Sequence, residues 1–260
     1  MVSVIIPAWG DVPWLAEAVA SVRRQTYGAV ELVVAAPPEN GSRTALAARM
    51  EGVRRSHGDY VTFVDADDWL DDHAVADMVA AIGDADVLCT GLIRGSEVRR
   101  PTADIWACGP GDVFNCLVAK LFRRGLFDNI VRDEAVVLGE DLLLTAQLLH
   151  RARRIAVVDD AFYNYRDNPT SVTHSLDGRQ RVLDLARVGA LLRELMPEAR
   201  YDDFHDRVTR DAMLLWIRYR LMDRKLWREL RGRLKGGLMA DPRHGLIKKG
   251  ALFCASCLLD

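Results

Sequence analysis

The chain has 260 residues, half of them hydrophobic, and a formal net charge of −2. That is the profile of an ordinary soluble protein with room for one large domain or two small ones around a sizeable core. The five cysteines are odd in number and scattered, which excludes a disulfide framework and fits a reducing compartment. No basic leader precedes the first apolar run, and no apolar run reaches the length of a membrane span, so a cytoplasmic chain is expected. Charge is uneven: from Trp216 to Asp260 eleven Lys/Arg face four Asp/Glu, a local +7 that leaves −9 for the rest.

Val2 to Ile6 is a buried strand by its unbroken apolar run, and Pro7-Ala8-Trp9-Gly10-Asp11 is the turn at its carboxyl end. Val12 to Gln25 has the helical spacing Leu15, Val19, Val22. Val30 to Val34 is a second strand and Ser42 to Arg55 a second helix. Tyr60 to Val64 is a third strand, rich in β-branched and aromatic residues, between Gly58-Asp59 and the acids Asp65, Asp67 and Asp68. A helix over His73 to Ile82 and a strand over Ala85 to Thr90 follow. Strands alternating with helices predict an α/β fold with a mostly parallel, doubly wound sheet.

Ligands of such sheets bind at the carboxyl ends of the strands. Three carboxylates crowded there repel one another unless a cation sits among them, and hard oxygen ligands suit Mg²⁺ or Mn²⁺. The alternative is that these acids cap the next helix. Leu142 to Leu149 begins a further helix, with Glu140 and Asp141 at its positive end. A carboxylate there stays ionised, the form a general base needs, although acids are also common as simple helix starters.

Several segments in order resemble family 2 glycosyltransferases of bacterial surface-polysaccharide synthesis, which have the glycosyltransferase A-type fold. They are Val2 to Pro7, Ser21-Val22-Arg23-Arg24-Gln25-Thr26-Tyr27, Ala48-Arg49-Met50-Glu51-Gly52, Gly58 through Trp69, Lys120-Leu121-Phe122-Arg123-Arg124, Gly139-Glu140-Asp141-Leu142, and Tyr163-Asn164-Tyr165-Arg166 with Ser171-Val172-Thr173. The resemblance spans about residues 2–175. It implies a nucleotide-sugar-binding half (1–110), an acceptor and catalytic half (111–178) and a helical basic tail region (179–260). It implies transfer of a sugar from a nucleotide-diphosphate donor to a glycan or lipid-linked acceptor hydroxyl, with inversion and with Mn or Mg. Pro7, Ala8, Trp9, Asp65, Ala66, Arg49 and Arg166 would contact the donor. Asp67, Asp68 and His174 would face the metal, and Asp141, with Glu140 behind it, would be the base. The loop Asp167 to Ser175 would order over the donor, and Lys120 or Arg123 would steer donor or acceptor. Two departures stand out: no carboxylate follows the second strand, and the usual "ARN" reads Ala48-Arg49-Met50.

The last third differs in kind. Arg179 to Met196 is an amphipathic helix ending at Pro197, and Phe204 to Leu234 is one long helical pattern with Trp216, Tyr219 and Trp227 among arginines and lysines. Apolar bulk with cations suits peripheral contact with an anionic membrane through Trp216 to Asp260; packed aromatics beneath solvated arginines are the other reading. Nucleic acid is not expected as a partner. The alternative to a transferase is a non-catalytic subunit that binds a partner transferase. A nucleotidyltransferase would need a glycine-rich phosphate loop, which Pro7 to Gly10 does not supply.

Overall fold

The computed structural model describes residues 1–39, 43–101, 106, 115–168, 177–221, 223–236, 248, 249, 251, 252 and 255. The first strand is the centre of the first half. Strand β1 (Val2–Pro7) is buried along its whole length and pairs in parallel with β2 (Val30–Ala35) and β3 (Tyr60–Phe63). Helices α1 (Leu15–Arg23) and α2 (Ala45–Arg55) form the crossovers. Thr44 caps α2 by accepting from the Ala47 N–H at 3.1 Å. Close packing of α2 on β1 depends on Gly52, where an added Cβ would stand 2.3 Å from Ile5 Cγ2.

Beyond β3 the sheet changes character. It contains β4 (Trp69–Leu70), β5 (Val87–Arg94), β6 (Glu97–Arg99), β7 (Lys120–Arg123) and β8 (Ile155–Tyr165), and α3 (Ala74–Ile82) packs beside it. The strand order is β2-β1-β3-β7-β5-β8-β4, with β6 on β5. The α/β fold and the helical C-terminal region agree with the sequence reading, but the sheet is curled and mixed rather than mostly parallel. β7 inserts between β3 and β5 antiparallel to both, and β4 and β6 are antiparallel to β8 and β5. β8 alone among the later strands runs parallel to its neighbour β5.

Helix α4 (Glu140–Arg151) joins two cores. Leu144, Leu148 and Leu149 pack into the sheet core with Phe63, Leu121 and Phe122. Leu142, Leu143 and Ala146 pack into a second core with α5 (Gly178–Leu195), α6 (Asp202–Arg218) and α7 (Arg224–Gly232). Each of these leucines contributes about 1.5–3 kcal/mol by burial, so α4 is held from both sides.

The long helix expected over Phe204 to Leu234 is two helices. Arg220 adopts a left-handed φ of 51°, with the Leu221 N–H bonded to Trp216 O at 3.2 Å and the Arg220 N–H to Ile217 O at 3.0 Å. That pair of bonds closes α6 as a Schellman motif, and Asp223 opens α7 by accepting from the Leu226 N–H at 3.0 Å. The break folds α7 back, so Trp216 and Trp227 meet with ring centroids 5.0 Å apart inside the second core. Trp227 is wholly buried, so these two rings are not available to a membrane. Among the described residues, no helix is long and apolar enough to cross one.

Candidate active site

The carboxyl ends of β1 and β3, the start of α4 and the β5–β6 hairpin surround one cavity of about 900 Å³. Its wall includes Pro7, Ala8 and Trp9 after β1, Asp65, Ala66 and Asp67 after β3, Arg49 from α2, and Glu140 and Asp141 from α4. These nine were singled out in the sequence, and the fold brings them together across up to 134 positions of chain, from Pro7 to Asp141.

Arg49 is the hub. Its side chain is 5% exposed and bonds Asp65 Oδ1 at 2.7 Å through Nη2 and Asp141 Oδ1 at 2.8 Å through Nη1; Glu140 Oε1 lies 3.7 Å away. Its Nε is buried without a hydrogen-bond partner. One guanidinium therefore ties the β3 exit to the α4 entry. Burial works against the charge on Arg49, yet Asp141, Asp65 and Glu140 together hold its pKa above the ordinary arginine value.

One positive charge does not neutralise three carboxylates. Burial, followed by the Asp141 charge, pushes Glu140 up to about 8 against the pull of Arg49. Burial also raises Asp141, with Arg49 and then Lys120 partly holding it down. The expectation that the helix terminus simply keeps these acids ionised is thus corrected: desolvation outweighs it. Gly139, in the left-handed region at φ 89°, turns the chain into α4 and places both acids at its first turn. The preceding loop is pinned from the helical layer, where Asp184 of α5 accepts from the Val137 and Leu138 N–H groups at 3.0 and 2.9 Å.

The acids after β3 separate into different environments. Asp67 is on the cavity wall and accepts from Asn168 Nδ2 at 2.8 Å. Asp68, expected to face a metal, is instead 2% exposed and absent from the cavity wall. It accepts from the Tyr163 hydroxyl and, at 2.7 Å, from the Arg166 N–H. Burial, then the Asp65 charge, pushes Asp68 up to about 8. The Tyr163 hydroxyl also accepts from the Asp65 N–H at 3.1 Å, so this buried pair braces the whole acidic turn.

Arg166 likewise turns away from the cavity. Its guanidinium donates to Asp67 O at 2.7 Å and Glu17 Oε2 at 2.5 Å, and lies over Trp69 (4.8 Å) and Trp14 (5.5 Å). It is an internal cation–π clamp between α1, β4 and β8. Lys120 is wholly buried and donates to Cys116 O at 2.6 Å, while Arg123 pairs with Asp86 at 3.0 Å on the outside. Neither lines the cavity. His174, and the loop beyond Asn168 expected to close over the donor, lie outside the described residues.

Sequence reasoning missed Arg94, Arg99, Tyr165, Asn168 and Trp14 as cavity residues. The β5–β6 pairing carried no turn signal strong enough to reveal it beyond Gly95-Ser96. β8 has an apolar-aromatic run, Ala161 to Tyr165, that was a usable strand signal.

Comparison with known proteins agrees with this architecture. Residues 39–130 match the family described as Glycosyl transferase family 2. The chain is 24% identical over 221 residues to the uncharacterized glycosyltransferase EpsJ of Bacillus subtilis (strain 168), covering 66% of this chain and 63% of that protein. It superposes on TarS of S. aureus with a TM-score of 0.67 and 16% identity, over 98% of this chain and 52% of that one. The 1–349 form of TarS in complex with UDP-GlcNAc gives 0.64 and 16% identity, over 90% of this chain and 83% of that one. The mannosyltransferase PcManGT of Pyrobaculum calidifontis, in complex with GDP-Man and Mn²⁺, gives 0.54 and 14% identity, over 99% and 79%. The chain thus spans less than two thirds of the length of EpsJ and of the longer TarS chain. The superpositions carry the fold, and with the family match they identify the chain as a member of glycosyl transferase family 2 with the glycosyltransferase A-type architecture.

Proposed function

We propose that this chain transfers a sugar from a nucleotide-diphosphate donor to an acceptor hydroxyl on a glycan or lipid-linked glycan, by a single inverting displacement. The observation that carries this reading is the buried Arg49 link, which sets a carboxylate from each half of the fold, Asp65 and Asp141, on one cavity. The donor lies at the β1 and β3 ends, the usual ligand position in such sheets, with Trp9 and Ala8 beside it. Asp141 accepts the acceptor hydroxyl proton. The freed oxygen bonds to the anomeric carbon from the face opposite the diphosphate. The bond from that carbon to the phosphate oxygen breaks, its electron pair leaves with the nucleoside diphosphate, and the configuration inverts.

The named complexes of fold relatives contain UDP-GlcNAc, or GDP-Man with Mn²⁺. Among the described residues here, no three His, Cys, Asp or Glu side chains gather as a ready ligand set. Asp67 fits a Mg²⁺ or Mn²⁺ that keeps one or two protein carboxylates and takes its other ligands from substrate phosphates and water. Such an ion, when bound, offsets the charge developing on the leaving diphosphate. Asp65 is engaged by Arg49, and Asp68 braces the turn from behind.

Contact with an anionic membrane surface, if made, rests on cations alone. Arg218, Arg220, Arg224, Lys225 and Arg228 are exposed while Trp216 and Trp227 are packed inside.

The test is a thermal-shift screen of UDP-, GDP-, CDP- and dTDP-sugars with and without Mn²⁺, on the wild type and Asp67→Ala, because a ligand of the native state raises the melting temperature. Metal-dependent stabilisation by one nucleotide, lost in Asp67→Ala, supports the reading. Silence across the panel turns it toward a non-catalytic subunit that binds a partner transferase.

A further inference from the structure

Four side chains of the sheet meet the cavity from one face. In the antiparallel β5–β6 hairpin, Leu92 stands opposite Arg99, and Arg94 is two residues along β5 from Leu92. Residues opposite each other, and residues two apart on one strand, share a sheet face. On the other flank β8 sets Tyr165 beside Arg94. Leu92, Arg94, Arg99 and Tyr165 accordingly all line the cavity. The Arg94 guanidinium lies 5.4 Å from the centre of the Tyr165 ring.

The place of this face matters. The donor reading uses the ends of β1 and β3, and β5 is separated from β3 by β7. The hairpin therefore floors the part of the cavity away from Trp9, on the acceptor side of Asp141. Neither arginine is part of the Arg49 cluster. Their partners are Asp167 for Arg94 (2.5 Å) and Glu97 for Arg99 (3.1 Å), carboxylates that are 68% and 61% exposed. Exposed pairs of this kind hold little free energy, so the two guanidiniums can turn to a stronger anion without disturbing the core.

We propose that Arg94 and Arg99 form an acceptor subsite for a phosphate group, so that the preferred acceptor carries a phosphate monoester or diester close to the hydroxyl that receives the sugar. Guanidinium forks match phosphate oxygens by paired charge-assisted hydrogen bonds. Leu92 and the Tyr165 ring supply the apolar floor beneath them. This inference rests on the transferase reading for the word acceptor, but the phosphate site itself does not depend on turnover.

The experiment is calorimetric binding to the full chain and to the Arg94→Gln/Arg99→Gln double variant. The probes are a phosphorylated octyl glycoside, a phosphorylated lipid-free oligosaccharide, and the dephosphorylated form of each. The wild type is expected to bind at least one phosphorylated probe about tenfold or more tightly than its dephosphorylated partner, as charge-assisted hydrogen bonds require, with the gap narrowing as salt is raised. In the double variant the gap closes. A preference for the octyl probe assigns the phosphate to a lipid-linked acceptor, and a preference for the lipid-free probe to a phosphorylated glycan. Equal binding of phosphorylated and dephosphorylated probes by the wild type overturns the inference, and so does a gap that survives the double substitution. The donor screen above is read separately: donor binding without phosphate discrimination sinks this inference alone, whereas phosphate discrimination without any donor response sinks the transferase reading alone.

Discussion

Two acidic segments face each other across the cavity, and they handle the same residue types in opposite ways. After β3, Asp65, Asp67 and Asp68 are dispersed: one to Arg49, one to the cavity wall, one into the protein against Tyr163. At the start of α4, Glu140 and Asp141 stay together on the cavity and compete for a single guanidinium. Spacing along the chain does not distinguish these outcomes. A carboxylate's role here follows from where burial and hydrogen bonds leave it, and the difference between the segments can be tested one side chain at a time.

The largest effect is expected at the α4 end. Asp141→Asn should lower transfer by about 10²–10⁴-fold, the usual contribution of a positioned base, while donor-induced stabilisation persists; a variant with wild-type turnover takes Asp141 out of that role. Because burial raises the Asp141 carboxyl, the acid limb of kcat/KM should fall above the ordinary aspartate range, and a limb inside that range breaks the electrostatic account. Next comes the tie between the segments. Arg49→Met removes the cation from a buried cluster of like charges and should cost about 3–5 kcal/mol, read by denaturant unfolding. The loss should grow with pH, since the freed acids resist ionisation.

Behind the β3 turn, Asp68→Asn should cost about 1–3 kcal/mol, because an amide nitrogen cannot accept from Tyr163 or from the Arg166 N–H. Its mark should be a lowered melting temperature; an unchanged one removes the bracing role. The smallest effect concerns a carboxylate remote from both segments. Glu31 is partly desolvated, which alone would raise it, but it accepts from the His57 N–H at 2.8 Å, Ser3 Oγ at 2.5 Å and the His57 ring at 2.8 Å, and falls to about 2. With a folded pKa below the unfolded one, its stabilisation is present above about 4.5 and lost as pH falls toward 2. Glu31→Gln should flatten the acid side of the stability curve by about 1–2 kcal/mol; an unaltered acid limb excludes this contact as its source.

Much of this molecule was legible in the sequence. Val2 to Ile6 and Tyr60 to Val64 announce buried strands, and their bounds differ from the observed ones by a single residue. The two acidic segments were found because carboxylates beside strand ends and helix starts are uncommon in combination. Three things were hidden for physical reasons. β7 was missed because it holds a fully buried lysine, satisfied by backbone carbonyls that no local pattern reveals. The break after α6 was missed because its left-handed position is filled by Arg220 instead of glycine. Arg166 read as a phosphate ligand because its partners, Glu17, Trp14 and Trp69, are distant in sequence. Likewise Arg94 and Tyr165 meet only through the β5–β8 pairing.

Helix α4 belongs to both cores, and the loop before it hangs from Asp184. The helical layer is therefore not an exchangeable module bolted onto a complete enzyme. A chimera that grafts this sheet half onto a foreign helical layer would leave Leu142 and Leu143 facing an unmatched surface and the Val137 and Leu138 amides without their acceptor. Asp141 would then lose its placement even though every residue of the sheet half was intact. Variation in acceptor choice between relatives of this architecture has to arise with the helical layer and α4 changing together, or else within the β5–β6 hairpin, which can vary without disturbing either core.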